Sequence, residues 1–232
     1  TLQKHTVSPD GKLYALWENY DSRRNEENVK IYNAQTGGKI QQFEVQANRE
    51  QLDLAFSPDG KFLAFASRYW IKIYNIETKT EVMKFSSARV IAFSPKGKLL
   101  AASSGKVYNL ESGATAHTFS SGNSVAFSPD GEYLAIGGER KNIGSYYKPK
   151  YTDPINIYSL KTGLKAGSIS GKETAYVKAY SPDGKYLASS KSIYNLETGK
   201  EVRNFGGRFS PDGKYVALGG PIYRTLFQVE EE

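Results

Sequence analysis

The chain has no cysteine, one methionine, two tryptophans and two histidines in 232 residues. Without cysteine there is no disulfide framework, no thiolate zinc site and no cysteine nucleophile. Long apolar runs are missing too. The longest uncharged apolar stretches are a few residues, such as Val90-Ile91-Ala92-Phe93, whereas a membrane-spanning helix needs about 20 residues. That points to a soluble chain. No basic segment leads into an apolar one as in a signal peptide, and the chain opens at Thr1 rather than Met. No Asn-x-Ser/Thr sequon occurs, which weighs against a glycosylated ectodomain. A cytoplasmic setting is favoured slightly, while a secreted or periplasmic one also suits a cysteine-free chain without an initiator methionine.

Enzyme chemistry finds little footing. His5 and His117 fall in different parts of the sequence pattern, and a catalytic metal site needs two or three histidines with carboxylate support. No Gly-x-Ser-x-Gly elbow is present. Gly167-Ser168-Ile169-Ser170-Gly171-Lys172 is one residue short of a phosphate loop, and Glu173 stands where Ser or Thr is needed. The expectation is a non-enzyme with no catalytic residue, no metal ligand and no cofactor.

What the chain does have is aromatic residues (17 Tyr and 11 Phe), 22 Gly and 9 Pro, a composition suited to short strands and tight turns. Its net charge of +7 raises the question of nucleic acid. Yet Lys12, Lys61, Lys98, Lys185 and Lys214 each follow a turn glycine. Lysines dispersed in this way favour solubility rather than forming a patch, because charge must cluster to steer a ligand.

Self-similarity is the strongest signal. Ser-Pro-Asp-Gly occurs at 8–11, 57–60, 128–131, 181–184 and 210–213, with Ser-Pro-Lys-Gly at 94–97 as a sixth copy. Six copies in this length give roughly 39 residues per unit, a period typical of solenoids and propellers. Proline presets φ at the first central turn position, aspartate tolerates the second, and glycine accepts a left-handed φ before the next strand. The spacing predicts a three-residue hairpin loop ending in a bulge.

Strand-like runs flank each turn, as in Leu52-Asp53-Leu54-Ala55-Phe56 and Phe62-Leu63-Ala64-Phe65-Ala66. Their two-sided apolarity implies sheets stacked between neighbours. A third run follows: Ile31-Tyr32-Asn33, Ile73-Tyr74-Asn75, Val107-Tyr108-Asn109, Ile157-Tyr158-Ser159 and Ile193-Tyr194-Asn195. After a further turn comes a more polar fourth run, such as 39–45, 81–85 and 201–205. Four strands that grow polar outward fit a radially arranged blade.

These motifs resemble the WD40-repeat family, most closely over 125–136 and 181–202. They are similar also to TolB-type propellers, which share the Ser-Pro-Asp-Gly turn. The resemblance spans essentially the whole chain and implies an all-β fold: a six-bladed β-propeller of four-stranded antiparallel blades. It departs from the family pattern in two ways. Tyr-Asn or Tyr-Ser replaces Trp-Asp, and neither His5 nor His117 follows a glycine, so the buried His/Asp network of many family blades has no counterpart.

A single domain over 1–232 is expected, with blades near 3–45, 51–85, 89–119, 123–169, 175–205 and 207–229. The last lacks a clear fourth strand. Either its acidic end (230–232) blunts the edge, or another chain completes it by strand addition. The latter would give an oligomer or filament.

Two connections between second and third strands are long, at 18–28 and 138–153. They share a connection type and so emerge on one face. With six blades, units one and four would lie opposite each other across the pore. Long loops on a rigid scaffold concentrate function, and tyrosines beside Arg or Lys suit binding hot spots. Arg24, Tyr146, Tyr147, Lys148 and Tyr151 are therefore the candidate protein-contact residues. The first insertion holds Glu18, Asp21, Glu26 and Glu27 against Arg23 and Arg24, so its charge balance opposes that of the second and disfavours one polyanion-binding stripe. A ligand in the central pore would need Asp53, Arg89, Asn123 and Lys178, the polar candidates on innermost strands. The reading as a whole is a non-enzymatic protein-interaction scaffold, with assembly through the last blade as the alternative.

Overall fold

A computed structural model of the chain describes residues 5–21, 26–45, 53–138, 141–142, 151–152, 154–169, 176–210, 212–217 and 226–228. The chain forms two compact units, residues 1–104 with 108–114 and residues 105–107 with 115–232. Among the described residues every regular element is a strand, and no helix is long and apolar enough to cross a membrane.

In the first unit, β1 (His5–Val7), β2 (Leu13–Asp21), β3 (Glu26–Asn33) and β4 (Lys39–Val45) form an antiparallel sheet in sequence order, sheet 1. Sheet 2 repeats the order with β5 (Asp53–Phe56), β6 (Phe62–Ala66), β7 (Trp70–Asn75) and β8 (Thr80–Ser86). Sheet 3 runs β9 (Ile91–Phe93), β10 (Leu99–Ala102), β11 (Lys106–Asn109), β12 (Thr115–Thr118), of which β12 and residues 106–107 count with the second unit. First strands are neighbours, β1 beside β5 and β5 beside β9.

The second unit holds sheet 4, with β13 (Ser124–Phe127), β14 (Tyr133–Gly137), β17 (Ile155–Ser159) and β18 (Lys165–Ile169). Between β14 and β17 a separate ladder joins β15 (Lys141–Asn142) to β16 (Tyr151–Thr152). Sheet 5 comprises β19 (Val177–Tyr180), β20 (Tyr186–Ser189), β21 (Ile193–Asn195) and β22 (Glu201–Arg203). Sheet 6 has three strands among the described residues: β23 (Arg208–Phe209), β24 (Tyr215–Ala217) and β25 (Leu226–Gln228). Here β13 lies beside β19 and β19 beside β23.

The core follows one packing order. The face of sheet 1 carrying Ala15, Trp17, Val29 and Ile31, its leading face, meets Phe56, Leu63 and Phe65 on the trailing face of sheet 2. Ala64, Ala66, Ile71 and Ile73 of sheet 2 then meet Leu100, Ala102 and Tyr108. In the second unit Ala126, Ala135 and Ile155 meet Tyr180, Leu187 and Tyr194, and Ala188 and Ile193 meet Phe209 and Val216. The second-strand alanines of leading faces, Ala15, Ala64, Ala135 and Ala188, thus receive large side chains of the next trailing face, each large side chain contributing about 1.5–3 kcal/mol. Second strands are the most buried and the outer β8, β12 and β22 the most exposed, matching the polarity gradient of the sequence. In β4 the gradient yields to alternation, with Gln41, Phe43 and Val45 buried.

The Ser-Pro-Asp-Gly turns differ from expectation in one respect. Ser8 and Leu13 form the closing pair, so the loop holds four residues, 9–12, instead of three. The Ser8 N–H donates to Leu13 O at 2.9 Å, and the Leu13 N–H donates back to the Ser8 hydroxyl at 2.8 Å. The Ser8 carbonyl accepts the Gly11 N–H instead, at 2.9 Å. A side-chain oxygen has thus taken the ladder position of a backbone one. The hydroxyl also donates to Asp10 Oδ1 at 2.6 Å, and that oxygen accepts the Lys12 N–H at 3.0 Å. Ser57, Ser128, Ser181 and Ser210 repeat the arrangement. At the sixth copy Ser94 accepts the Leu99 N–H at 3.0 Å, but Lys96 offers no carboxylate. Gly11 and its counterparts take the left-handed φ expected, +71° at Gly11.

These bonds favour ionised aspartate. The Ser8 and Ser210 hydroxyls first, then the following lysine amides, hold Asp10 and Asp212 below the usual carboxylate range. At Asp59 and Asp183 partial burial pushes upward, yet the same hydrogen bonds and the adjacent lysine leave both lowered.

The Tyr-Asn pairs have their own physical role. Asn33 Oδ1 accepts the N–H groups of Gln35 and Thr36 at 2.9 and 2.8 Å, capping the turn into β4. Asn75, Asn109 and Asn195 do likewise, as does the Ser159 hydroxyl. The tyrosines pack against the preceding sheet: Phe43 to Tyr74 at 4.7 Å, Phe85 to Tyr108 at 4.1 Å and Phe119 to Tyr158 at 4.3 Å. Tyr108 is also hydrogen-bonded to Ser86 at 2.8 Å. Aromatic stacking and side-chain caps occur where the related repeats place a His/Asp network.

Candidate interaction surface

Both turn types lie at the same end of their sheet and are tied together, for example by Ala34 N–H to Lys12 O at 2.8 Å and Ile76 N–H to Lys61 O at 2.9 Å. The opposite end carries the second-to-third-strand connections. The short ones of sheets 2 and 5 are closed by serine. The Ser67 hydroxyl accepts the Tyr69 and Trp70 N–H groups at 3.2 Å, and the Ser189 hydroxyl accepts those of Lys191 and Ser192 at 3.1 and 2.9 Å.

The two long connections are more ordered than the loops expected from sequence. In the first, β2 and β3 continue as a paired hairpin to Asp21↔Glu26, with an irregularity between Glu18 and Asp21. The β4 strand follows it, pairing Val45 with Glu27. Strand β2 therefore includes residues 18–21 of this connection, and strand β3 its residues 26–28. In the second, Lys141 pairs with Thr152 and Asn142 with Tyr151, making a small ladder of its own. Its base is pinned. Gly138 has φ +88°, and its carbonyl accepts a hydrogen bond from Asn123 Nδ2. The Ser124 hydroxyl donates to Gly137 O at 3.1 Å while accepting the Val177 N–H at 2.8 Å.

Of the predicted contact residues, Tyr151 belongs to β16, opposite Asn142. Arg24, Tyr146, Tyr147 and Lys148 lie outside the described residues. Two tyrosines that sequence reading passed over also sit at this end. Tyr69, 55% exposed, occupies the short connection of sheet 2, and Tyr176, 42% exposed, precedes β19 beside Gly138. For Tyr69 the available signal was an aromatic residue where the other short connections hold only Ser, Gly or Lys.

The pore candidates separate in role. Asp53 Oδ2 accepts the Ile91 N–H at 2.9 Å, so it joins β5 to β9. Ser124 does the same between sheets 4 and 5. Asn123 holds Gly138, whereas the side chains of Arg89 and Lys178 are exposed. Asp53 and Asn123 are thus engaged as struts. His5 is exposed with its ring 5.8 Å from that of Tyr14, and His117 stacks on Phe119 at 5.4 Å. Among the described residues no group of three His, Asp or Glu could hold a metal ion.

Against known proteins, residues 112–143 match the family described as WD domain, G-beta repeat. That interval runs from the turn before β12 through β13, the third Ser-Pro-Asp-Gly and β14 to β15. In structure, the chain is similar to Kuenenia stuttgartiensis hydrazine synthase, with a TM-score of 0.69 and 21% identity over 92% of this chain and 72% of that one. In all, 841 solved chains, that one among them, share enough of the fold to match, so the likeness is one of architecture. No curated protein sequence matches. The repeats are WD40-like, and the all-β fold is of the β-propeller type.

Proposed function

We propose that residues 1–232 form one six-bladed propeller that acts as a non-enzymatic scaffold for protein partners. Contact runs through the second-to-third-strand connections, with Arg24, Tyr146, Tyr147, Lys148 and Tyr151 as anchors. The observation that carries this reading is the extension, among the described residues, of two connections at that end by paired strands. The sequence of one of them is rich in tyrosine and lysine. WD40 repeats generally mediate protein–protein interaction, and loops on a rigid sheet framework are where such contacts are built. The opposed charge balance of the two insertions disfavours nucleic acid. Cross-linking the protein in its native source, followed by mass spectrometry, is the test. Cross-links should concentrate in peptides covering 18–28 and 138–153, and cross-links confined to the Ser-Pro-Asp-Gly end would refute the assignment.

A second reading is favoured by the three described strands of sheet 6, where the other repeat sheets have four. A strand from another molecule would complete it by edge pairing. Light scattering across a concentration series, repeated with residues 1–3 deleted, tests this. A mass fixed at one chain in both cases rejects it.

A further inference from the structure

Five of the six repeated turns supply their own acceptor. The Ser8 hydroxyl and the Lys12 N–H converge on Asp10 Oδ1 at 2.6 and 3.0 Å. The same two donors meet Asp59, Asp130, Asp183 and Asp212, the hydroxyl at 2.5–2.6 Å and the amide at 2.8–3.1 Å. The sixth turn keeps the donors and loses the acceptor. Its backbone is unchanged: Ser94 N–H donates to Leu99 O at 2.9 Å, Gly97 N–H to Ser94 O at 2.8 Å, and Gly97 has φ +71°. Lys96, however, stands where the others have aspartate. Ser94 is only 4% exposed, and its hydroxyl accepts the Leu99 N–H at 3.0 Å but donates to no described residue. The Lys98 N–H likewise has no acceptor among the described residues. A buried donor left in this way is unfavourable.

The charge changes with the geometry. The turns at 9–12, 58–61, 182–185 and 211–214 each pair one Asp with one Lys, whereas 95–98 holds Lys96 and Lys98 and no acid. Lys98 Nζ lies 3.4 Å from Glu111 Oε1, but side-chain exposures of 67% and 71% make that a weak pairing. Lys96 is exposed as well. The two donors and both ammonium groups belong to residues 94–98, so they come together through this one turn.

We infer that this turn is a binding site for a small free carboxylate, one oxygen of which lies between the Ser94 hydroxyl and the Lys98 N–H. The ligand class follows from the chain itself, whose other five turns place a carboxylate oxygen between the same two donors. Those donors favour the ionised group, since they lower the carboxyl pKa of Asp10 and Asp212. Lys96 and Lys98 add the positive charge that draws an anion, and the exposed Lys96 side chain can move aside for it. The site lies at the turn end and is independent of the hairpin-end contacts proposed for the scaffold.

Amide NMR of the whole chain, titrated with sodium acetate against sodium chloride at constant ionic strength, tests the inference. Four heavy atoms limit acetate to a dissociation constant no tighter than about 0.05 mM. The Lys98 amide proton should therefore move downfield along a curve that saturates by ~200 mM. The Lys61 and Lys185 amides, already bonded to Asp59 and Asp183, should stay in place. Lys96→Asp restores the internal acceptor, so its Lys98 amide should start downfield and ignore acetate. Lys96→Ala keeps the cradle and should still saturate, with affinity reduced at most about fivefold. Position 96 is exposed, so both variants should keep the wild-type melting transition. An unsaturable Lys98 response in the wild type overturns the inference and leaves water as the partner of Ser94. A response that persists in Lys96→Asp also overturns it, because acetate would then act elsewhere. Loss of the response in Lys96→Ala overturns it too, making the ammonium group and not the cradle the site.

Discussion

The two ends of these sheets are built on different terms. At one end the Ser-Pro-Asp-Gly loop and the Asn-capped turn recur with the same hydrogen bonds, and each serine has its hydroxyl in place of a backbone acceptor. At the other end the connections range from tight serine-closed turns to an inserted hairpin with its own ladder. The difference shows where the chain's stability is fixed and where variation is tolerated. A turn whose side chains complete the strand ladder cannot be altered without exposing a buried amide or hydroxyl. A connection anchored at its base, as at Gly137 and Gly138, tolerates lengthening beyond that point.

The largest effect should come from breaking the first kind of turn. Ser57→Ala removes the acceptor of the part-buried Phe62 N–H and the donor to Asp59, and should cost about 1–3 kcal/mol in urea unfolding. An equal cost at an exposed position of the hairpin end, such as Tyr69→Ala, would erase the contrast between ends.

Acid should weaken the same turns selectively. Asp10, Asp59, Asp183 and Asp212 have folded pKa values below their unfolded ones. Their contribution is therefore complete above the unfolded value, near pH 4, and is lost as pH falls through the lower folded values. Hydrogen exchange of the Lys12, Lys61, Lys185 and Lys214 amides should accordingly lose protection in acid. The Lys98 amide, in the turn with Lys96, should not show this dependence.

A smaller effect is expected at Lys79. It adopts φ +61° where the other Asn- or Ser-capped turns have Gly37, Gly113, Gly163 and Gly199. Lys79→Gly should raise stability by about 1 kcal/mol, since an L side chain is strained in that region. A lower melting temperature for the variant would contradict this.

Much of this architecture can be read from the sequence because the turn recurs at a fixed period and the strands around it alternate in a recognisable way. The role of Ser8 and its counterparts could not be read, since a hydroxyl that accepts an amide five residues ahead leaves no mark in strand or turn propensity. Asn33, Asn75, Asn109 and Asn195 appeared only as substitutes for an aspartate, yet each caps the following turn. Residues 18–28 read as a loop because their charged and polar side chains hide the pairing, which is made by backbone groups and by the neighbouring β4. Asp53 looked available for a ligand, but its partner amide at Ile91 is 38 positions away in the chain. Tyr151 was recognisable as part of an insertion, whereas Tyr69 and Tyr176 emerged only once the ends of the strands were known.

The central claim is that partners engage the hairpin end and not the turn end. The direct measurement compares capture of a cross-linked partner by the wild type, by Tyr146→Ala/Tyr147→Ala/Tyr151→Ala, and by Lys61→Glu/Lys185→Glu at the turn end. The account predicts that the tyrosine variant loses the partner while keeping stability within about 0.5 kcal/mol of wild type, and that the lysine variant retains it. Full retention by the tyrosine variant, with loss in the lysine variant, would contradict it.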